Sequence, residues 1–132
     1  MPPIYLDYNA TTPLHPGVVE AMLPFLELHF GNASSSHWYG RQTAEAVVRA
    51  RGEVASLLGA EAAEITFTSG GTESNNLALV GVARALREKG RHIVSSAVEH
   101  PAVENVLCYL ESEGWRVTRV AVDGTGQVNP AE

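Results

Sequence analysis

Two glycines and several small polar side chains stand together in the stretch FTSGGTESNN, residues 67–76. The stretch joins a β-like run to the most apolar helix-like run of the chain. The first backbone N–H groups of a helix have no partners within it, and the helix dipole adds a partial positive charge there. Gly71 and Thr72 at such a helix start would therefore offer donors to an anion, with the Thr72 and Ser74 hydroxyls beside them.

The kind of anion is narrowed by two motifs that the chain lacks. It has no G-x-x-x-x-G-K-[ST] lysine and no G-x-G-x-x-G, so nucleoside triphosphate and dinucleotide sites of these kinds do not fit. A small monophosphate fits better. The residues alone leave a second interpretation open, in which the glycines only ease a strand-to-helix turn. The helix that follows is apolar nearly all round, so we expect it to be buried.

Other residues that could do chemistry are few. Lys89 is the single lysine and Cys108 the single cysteine. Lys89 is expected at a helix C-terminus on the surface, where a cation complements the dipole. Glu104 and Glu111 flank the face of Cys108 and should raise the pKa of its thiol, which favours a structural role. The histidines show no metal-ligand spacing with one another or with carboxylates, so we predict no metal site.

The pattern of elements predicts an α/β fold. A strand is expected at residues 3–8, a helix from residue 16, a loop at 30–40 and a long helix at about 41–58 that Gly59 ends. Three further strands alternate with two helices: strands at 65–68, 92–95 and 115–122, helices at about 72–89 and 101–113. This alternation is typical of βαβ units in a parallel sheet.

Composition sets limits on the class of protein. The chain has 132 residues, of which 45% are apolar and 18% charged, with a formal net charge of -6. These values indicate one soluble domain and argue against a nucleic-acid partner, since nucleic-acid binders display clustered cations. No apolar run approaches the roughly 20 residues of a membrane span. One cysteine and no signal peptide favour the cytoplasm.

The last four residues, NPAE, read as the start of a helix. Asn129 suits the N-cap, Pro130 the first helical position and Glu132 the position three residues after the cap. We therefore expect that this chain is the N-terminal part of a longer protein.

Four stretches carry a resemblance to a known family: YLDYNATTP at 5–13, FGNASSSHWYGR at 30–41, ITFTSGGTESNNLAL at 65–79 and SSAVEHPAV at 95–103. In order and spacing they resemble the N-terminal motifs of the cysteine desulfurases of the NifS and IscS type, in aminotransferase class V. The resemblance implies an incomplete large domain of a fold-type I transferase dependent on pyridoxal phosphate. Residues 1–15 would form an N-terminal arm and 16–132 the start of the cofactor-binding domain.

The resemblance also implies roles for three residues. Gly71 and Thr72 match the pair that contacts the phosphate of pyridoxal 5'-phosphate. His100 matches the histidine that lies on the face of the cofactor ring and helps in proton transfers; apart from the motif, it would be a histidine at a helix entrance. His37 falls within a family motif without an assigned role. Ala33 replaces the family's usual proline, which affects local stiffness only.

The implied activity is conversion of L-cysteine to L-alanine with an enzyme persulfide, which supplies sulfur for iron-sulfur clusters or tRNA thiolation. The family works as a homodimer and passes sulfur to an acceptor scaffold protein. Its cofactor lysine, the acidic partner of the ring nitrogen and its nucleophilic cysteine come later than residue 132, so we expect the chain alone to be inactive. Two alternatives stay open: a selenocysteine lyase, and a non-catalytic fragment for phosphate binding or dimerisation.

Overall fold

The computed structural model describes residues 3–131. The chain divides into two units, Met1–Thr66 and Phe67–Glu132. The first contains helices α1 (Pro16–Glu27) and α2 (Trp38–Leu58) and a 3-10 turn at Ala62–Glu64. The second contains helix α3 (Gly71–Ala85), strand β1 (His92–Ser96), helix α4 (Pro101–Ser112) and strand β2 (Arg116–Val120).

Helix α2 begins at Trp38, three residues before the expected start, and ends as predicted. The His37 ring accepts a hydrogen bond from the Gly40 N–H at 3.3 Å and so caps the helix in the way that Ser or Asp usually does. At the other end Gly59 adopts φ 66°, the left-handed conformation that glycine tolerates best. Because turn-forming residues are frequent in the loop, the sequence pattern placed residues 38–40 in it and did not identify His37 as the helix cap.

The loop before α2 is packed against the start of that helix. A side chain at Gly31 would clash with the backbone of Tyr39, and one at Gly40 would clash with the Ser35 carbonyl. The Thr43 hydroxyl, which is buried, lies 2.7 Å from the Gly31 carbonyl oxygen and donates to it. These close approaches give the loop a defined conformation.

Two of the predicted strands are wrong. Residues 3–8 and 65–68 are not strands, because no described residue forms a ladder with their backbone. Local bonds take its place: the Tyr5 hydroxyl donates to the Asp7 carbonyl at 2.9 Å, and Arg51 donates to the Ile65 carbonyl. An extended stretch becomes a strand only when a neighbour pairs with it.

The second unit confirms the predicted parallel βαβ arrangement. Strands β1 and β2 pair in parallel, with His92 opposite Arg116 and Ser96 opposite Val120, and α4 connects them. The second strand is shorter than expected and ends at Val120; beyond it, Val122 forms an antiparallel bridge with Val128. Helix α4 lies within one residue of its predicted bounds.

Helix α3 is more exposed than its composition predicts. Its buried residue is Ala83, which packs with Val106 and Leu110 of α4. Leu77 and Val82 are 54% and 58% exposed. The expectation of a buried helix was wrong, because the described chain covers α3 on the side of α4 and leaves much of its remaining apolar surface open.

One arginine ties α4 to β2. The Arg119 guanidinium lies 2.7 Å from a Glu104 oxygen and 2.9 Å from a Glu111 oxygen. Hydrogen bonds from Arg119 hold the pKa of both carboxyls below the ordinary glutamate value of 4.5. A carboxyl that has a lower pKa in the folded chain stabilises the fold when it is ionised.

Arg119→Met should therefore lower the midpoint of thermal unfolding at pH 7. The stabilisation is fully present above pH 4.5 and is lost as the pH falls through the lowered pKa values. Parent and variant should accordingly converge in acid, once both carboxyls are protonated in the folded chain. Thermal unfolding followed by circular dichroism at pH 7 and at falling pH measures this.

Arg87→Met is the matched control, because the Arg87 pair with Glu88 is well exposed at 57% and 89%. It should leave the midpoint nearly unchanged. A gap between parent and Arg119→Met that stays equal as the pH falls would show that packing, rather than charge, accounts for the loss.

The Asn129 side chain accepts a hydrogen bond from the Ala131 N–H at 3.1 Å, as an N-cap would, whereas Glu132 lies outside the described residues.

None of the helices formed by residues 3–131 has the length and apolarity that crossing a membrane requires.

Candidate functional site

The start of α3 presents free backbone donors, as the sequence predicts. Gly70 is the cap residue, and the Ser74 N–H makes the first bond of the helix, to the Gly70 carbonyl at 3.1 Å. Among residues 3–131 nothing accepts a hydrogen bond from the N–H groups of Gly71, Thr72 and Glu73. Three amides at the positive end of a helix are therefore available to an anion.

Side chains hold the turn that leads into α3. Both the N–H and the hydroxyl of Ser69 donate to one Glu73 carboxylate oxygen, each at 2.7 Å. These bonds lower the pKa of Glu73, with the Ser69 hydroxyl as the main cause. The Ser74 hydroxyl lies 2.6 Å from the Thr68 hydroxyl. Ser74 thus helps to hold the turn, and the Thr72 hydroxyl is the one that remains unengaged by described residues.

The two glycines of the turn lie in open space. A side chain added at Gly70 or Gly71 would meet no atom within 4 Å. Steric conflict within the described chain therefore does not explain glycine at these positions. Open approach to the free amides is what a phosphate group requires.

His100 is the N-cap residue of α4. Its ring Nδ1 accepts a hydrogen bond from the Ala102 N–H at 3.0 Å, and Pro101 occupies the first helical position. No described residue bonds to Nε2, and the residue is exposed. The helix-entrance role that the position suggested is therefore present, and Nε2 stays open to a ligand.

A cavity of about 500 Å³ lies in the same unit as Gly71, Thr72 and His100. It is lined by Asn75, one turn after Thr72, by Glu99, next to His100, and by the ends of both strands at Ser96 and Val120. Gly71, Thr72 and His100 are not among its lining residues, and no hydrogen bond in the described chain joins His100 to the start of α3. The structure thus places all three residues in one unit, and their neighbours in sequence, Asn75 and Glu99, line one cavity.

A comparison with models of known families assigns the chain to a family. The model of the family described as aminotransferase class-V matches residues 4–132. The chain belongs to the class-V aminotransferase family. The resemblance carried by the four motifs is thereby confirmed.

Relatives of this class-V chain are cysteine desulfurases. Cysteine desulfurase IscS of Dictyoglomus turgidum is 54% identical over 127 residues, which are 96% of this chain and 32% of that protein. A solved NifS-like protein is 38% identical with a TM-score of 0.88, over 96% of this chain and 35% of its own. The structure described as SspA in complex with cysteine is 42% identical with a TM-score of 0.79, over 87% and 33%. The chain spans about a third of the length of these relatives.

Cys108 of the class-V chain is exposed on α4 and is not among the residues that line the cavity. Its Sγ donates to Glu104 at 3.4 Å and accepts from Arg119 at 3.8 Å. The hydrogen bond to Glu104 is the main cause that raises the pKa of the thiol, which confirms the predicted direction. The sequence missed Arg119, whose charge acts in the opposite direction and whose place was visible only once β2 was set beside α4.

Lys89 follows α3 rather than ending it, because the helix stops at Ala85. It is exposed and lines a second, more apolar cavity of about 510 Å³ with Leu86, His92 and Trp115. That cavity lies at the opposite end of α3 from Gly71. The surface position expected for Lys89 is confirmed.

The remaining histidines are mostly structural. The rings of His15 and His37 cap α1 and α2 by accepting from Gly17 and Gly40. The His92 ring lies 2.7 Å from both Arg116 and Thr118, and the His29 ring packs on Phe25. Among residues 3–131 no group of three or more His, Cys, Asp or Glu is placed to hold a metal ion.

The histidine caps had a signal in the sequence. His15 and His100 each precede a proline that occupies the first turn of a helix. Proline favours that position, so the residue before it stands where a cap is needed. A His-Pro pair before a helical pattern could therefore have predicted both caps.

Proposed function

We propose that this chain carries the phosphate site and a ring-contacting histidine of a pyridoxal phosphate-dependent cysteine desulfurase. Residues 1–15 would be an N-terminal arm, and residues 16–132 the start of the large cofactor-binding domain. The observation that carries the proposal is the set of backbone N–H groups at the start of α3 that have no acceptor among the described residues, next to open space at Gly70 and Gly71. The similarity to cysteine desulfurases along almost the whole chain supports it.

The residues present fit the phosphate of the cofactor. Charge-assisted hydrogen bonds to backbone N–H groups are strong, and Gly71 and Thr72 can provide two of them, with the Thr72 hydroxyl as a third donor. The Glu73 carboxylate accepts from Ser69, and so leaves the N–H groups of Gly71 and Thr72 free for a phosphate. Gly71 and Thr72 would thus bind and orient the cofactor by its phosphate.

His100 would contact the cofactor ring. Pyridoxal phosphate, when bound, supplies an electron sink for bonds at the substrate's α-carbon. The cap at Nδ1 fixes the His100 ring, so that Nε2 is the atom left to meet cofactor or substrate. We propose L-cysteine as the substrate, and a persulfide passed to an acceptor scaffold protein as the product. A homodimer in the cytoplasm is the proposed form of the complete enzyme.

A chimera tests the proposal. Residues 1–132 replace the matching third of the Dictyoglomus turgidum cysteine desulfurase IscS, and the protein is assayed for bound pyridoxal phosphate and for alanine released from L-cysteine. We expect both. The chain alone should release no alanine, and borohydride reduction with the cofactor should not label Lys89.

The chimera also tests the non-catalytic alternative. A folded chimera that binds inorganic phosphate but not the cofactor would favour a phosphate-binding module and contradict the desulfurase proposal.

A further inference from the structure

His100 is held by three hydrogen bonds from the first turn of α4. The Ala102 N–H donates to ring Nδ1 at 3.0 Å. The N–H groups of Val103 and Glu104 donate to the His100 carbonyl at 2.8 and 3.1 Å. Both the backbone and the ring of His100 are thereby fixed relative to the helix.

The bond from Ala102 determines where the ring proton lies. An N–H donor needs a lone pair on its acceptor, so Nδ1 carries no proton while the bond exists. A neutral imidazole has one proton, which must then be on Nε2. The adjacent carboxylate of Glu99, which could favour the other form by accepting from Nδ1, is bonded by the Ser96 hydroxyl at 2.9 Å.

We propose that the Ala102 amide positions His100 in the Nε2–H tautomer, so that His100 meets its ligand as a hydrogen-bond donor and can change its proton count only when this bond opens. The only lone pair of the neutral ring is the one at Nδ1. A proton can therefore enter the ring only there, and Nε2 can release its proton only after another has arrived at Nδ1. Both events remove the bond to Ala102.

The consequence concerns the chemistry assigned to His100, and in identifying the ligand it rests on the proposed function. With the cap closed, Nε2–H can donate to a cofactor or substrate atom but cannot transfer its proton. Proton transfer through His100 is coupled to release of the first turn of α4. His100 therefore donates a hydrogen bond while the bond from Ala102 is closed, and transfers a proton only when that bond is open.

Magic-angle-spinning NMR of the chain with 15N-labelled histidine tests the tautomer, and it does not depend on solubility. At about pH 8, where imidazoles are neutral, Nδ1 of His100 should resonate as an unprotonated nitrogen and Nε2 as a protonated one. The His100→Asn spectrum assigns the signals. Either a protonated Nδ1 or an averaged pattern at His100 would overturn the proposal.

Two other histidines serve as internal references. Arg116 can only donate, so its 2.7 Å contact fixes the same tautomer at His92. Neither ring nitrogen of His29 has a hydrogen-bond partner among the described residues, so His29 should show a mixture. Averaging at His92 as well would contradict the structure itself, and the proposal with it.

Methylated histidines at position 100 test the role of Ala102. Nδ1-methylhistidine cannot accept from Ala102, and hydrogen exchange at the Ala102 amide should become about fivefold faster, as expected for loss of one helix cap. Nε2-methylhistidine keeps the acceptor and should leave exchange unchanged. Equal rates in the two variants would refute the proposal. Since cofactor is absent from these measurements, failure of the cofactor proposal would appear only in the chimera.

Discussion

Gly71→Asp is expected to weaken pyridoxal phosphate binding by the chimera about a hundredfold or more. A carboxylate at the first position of α3 would take the place of the phosphate and repel it. Loss of two charge-assisted hydrogen bonds, at about 1.5–3 kcal/mol each, accounts for an effect of this size. The helix itself should gain about 0.3–1 kcal/mol, because an acidic residue in the first turn complements the dipole.

Gly71→Asp is expected to lower cofactor affinity and to raise stability, and these opposite effects distinguish loss of the phosphate site from general damage to the fold. Cofactor affinity comes from titration followed by absorbance or fluorescence, and stability from thermal unfolding. The control is Gly90→Asp, which introduces the same charge at another open glycine, beyond the far end of α3. Affinity that falls equally in both variants would point to net charge rather than to the amides at the start of α3. Unchanged affinity in Gly71→Asp would remove the basis of the phosphate site.

His100→Asn should separate the cap from the ring. Asparagine is among the best N-cap residues, so the free energy of unfolding should stay within a few tenths of a kcal/mol of the parent. No atom of asparagine reaches the place of Nε2, so kcat for alanine release by the chimera should fall about a hundredfold or more, as when a positioned donor or acid is removed.

His100→Ala is the matched variant, because it loses both functions. Its kcat should fall as in His100→Asn, and its unfolding free energy by about 1 kcal/mol as well. If His100→Asn kept near-parental kcat, His100 would be a cap alone. The interpretation of His100 as a residue at a helix entrance would then account for it completely.

Local signals predicted the helices of this chain well. Proline at the first turn placed the start of α1, proline and apolar residues at helical spacing placed α4 to within one residue, and Gly59 ended α2 as expected. The β1 and β2 pairing followed from the alternation of strands and helices. The helix bounds depend on neighbours in sequence, and the strand pairing follows from the order of the elements, which is why sequence reasoning finds both.

Features that depend on distant partners were missed. The residues at 65–68 have the composition of a strand, yet no described segment pairs with them. Leu77 and Val82 are apolar and still exposed, since composition does not say which faces are covered. One local feature was missed as well: the free amides at the start of α3 were expected, but the bonds from Ser69 to Glu73 depend on a side-chain conformation that the sequence does not reveal.

Arg119 also limits how α4 can move. Glu104 and Glu111 are seven residues apart, so one guanidinium on β2 connects carboxylates whose backbone positions differ by about 10 Å along the helix axis. A slide of α4 by a single turn along the sheet would break both ion pairs together. Because His100 is the N-cap residue of this helix, the same two ion pairs also limit how far His100 can move along the strands.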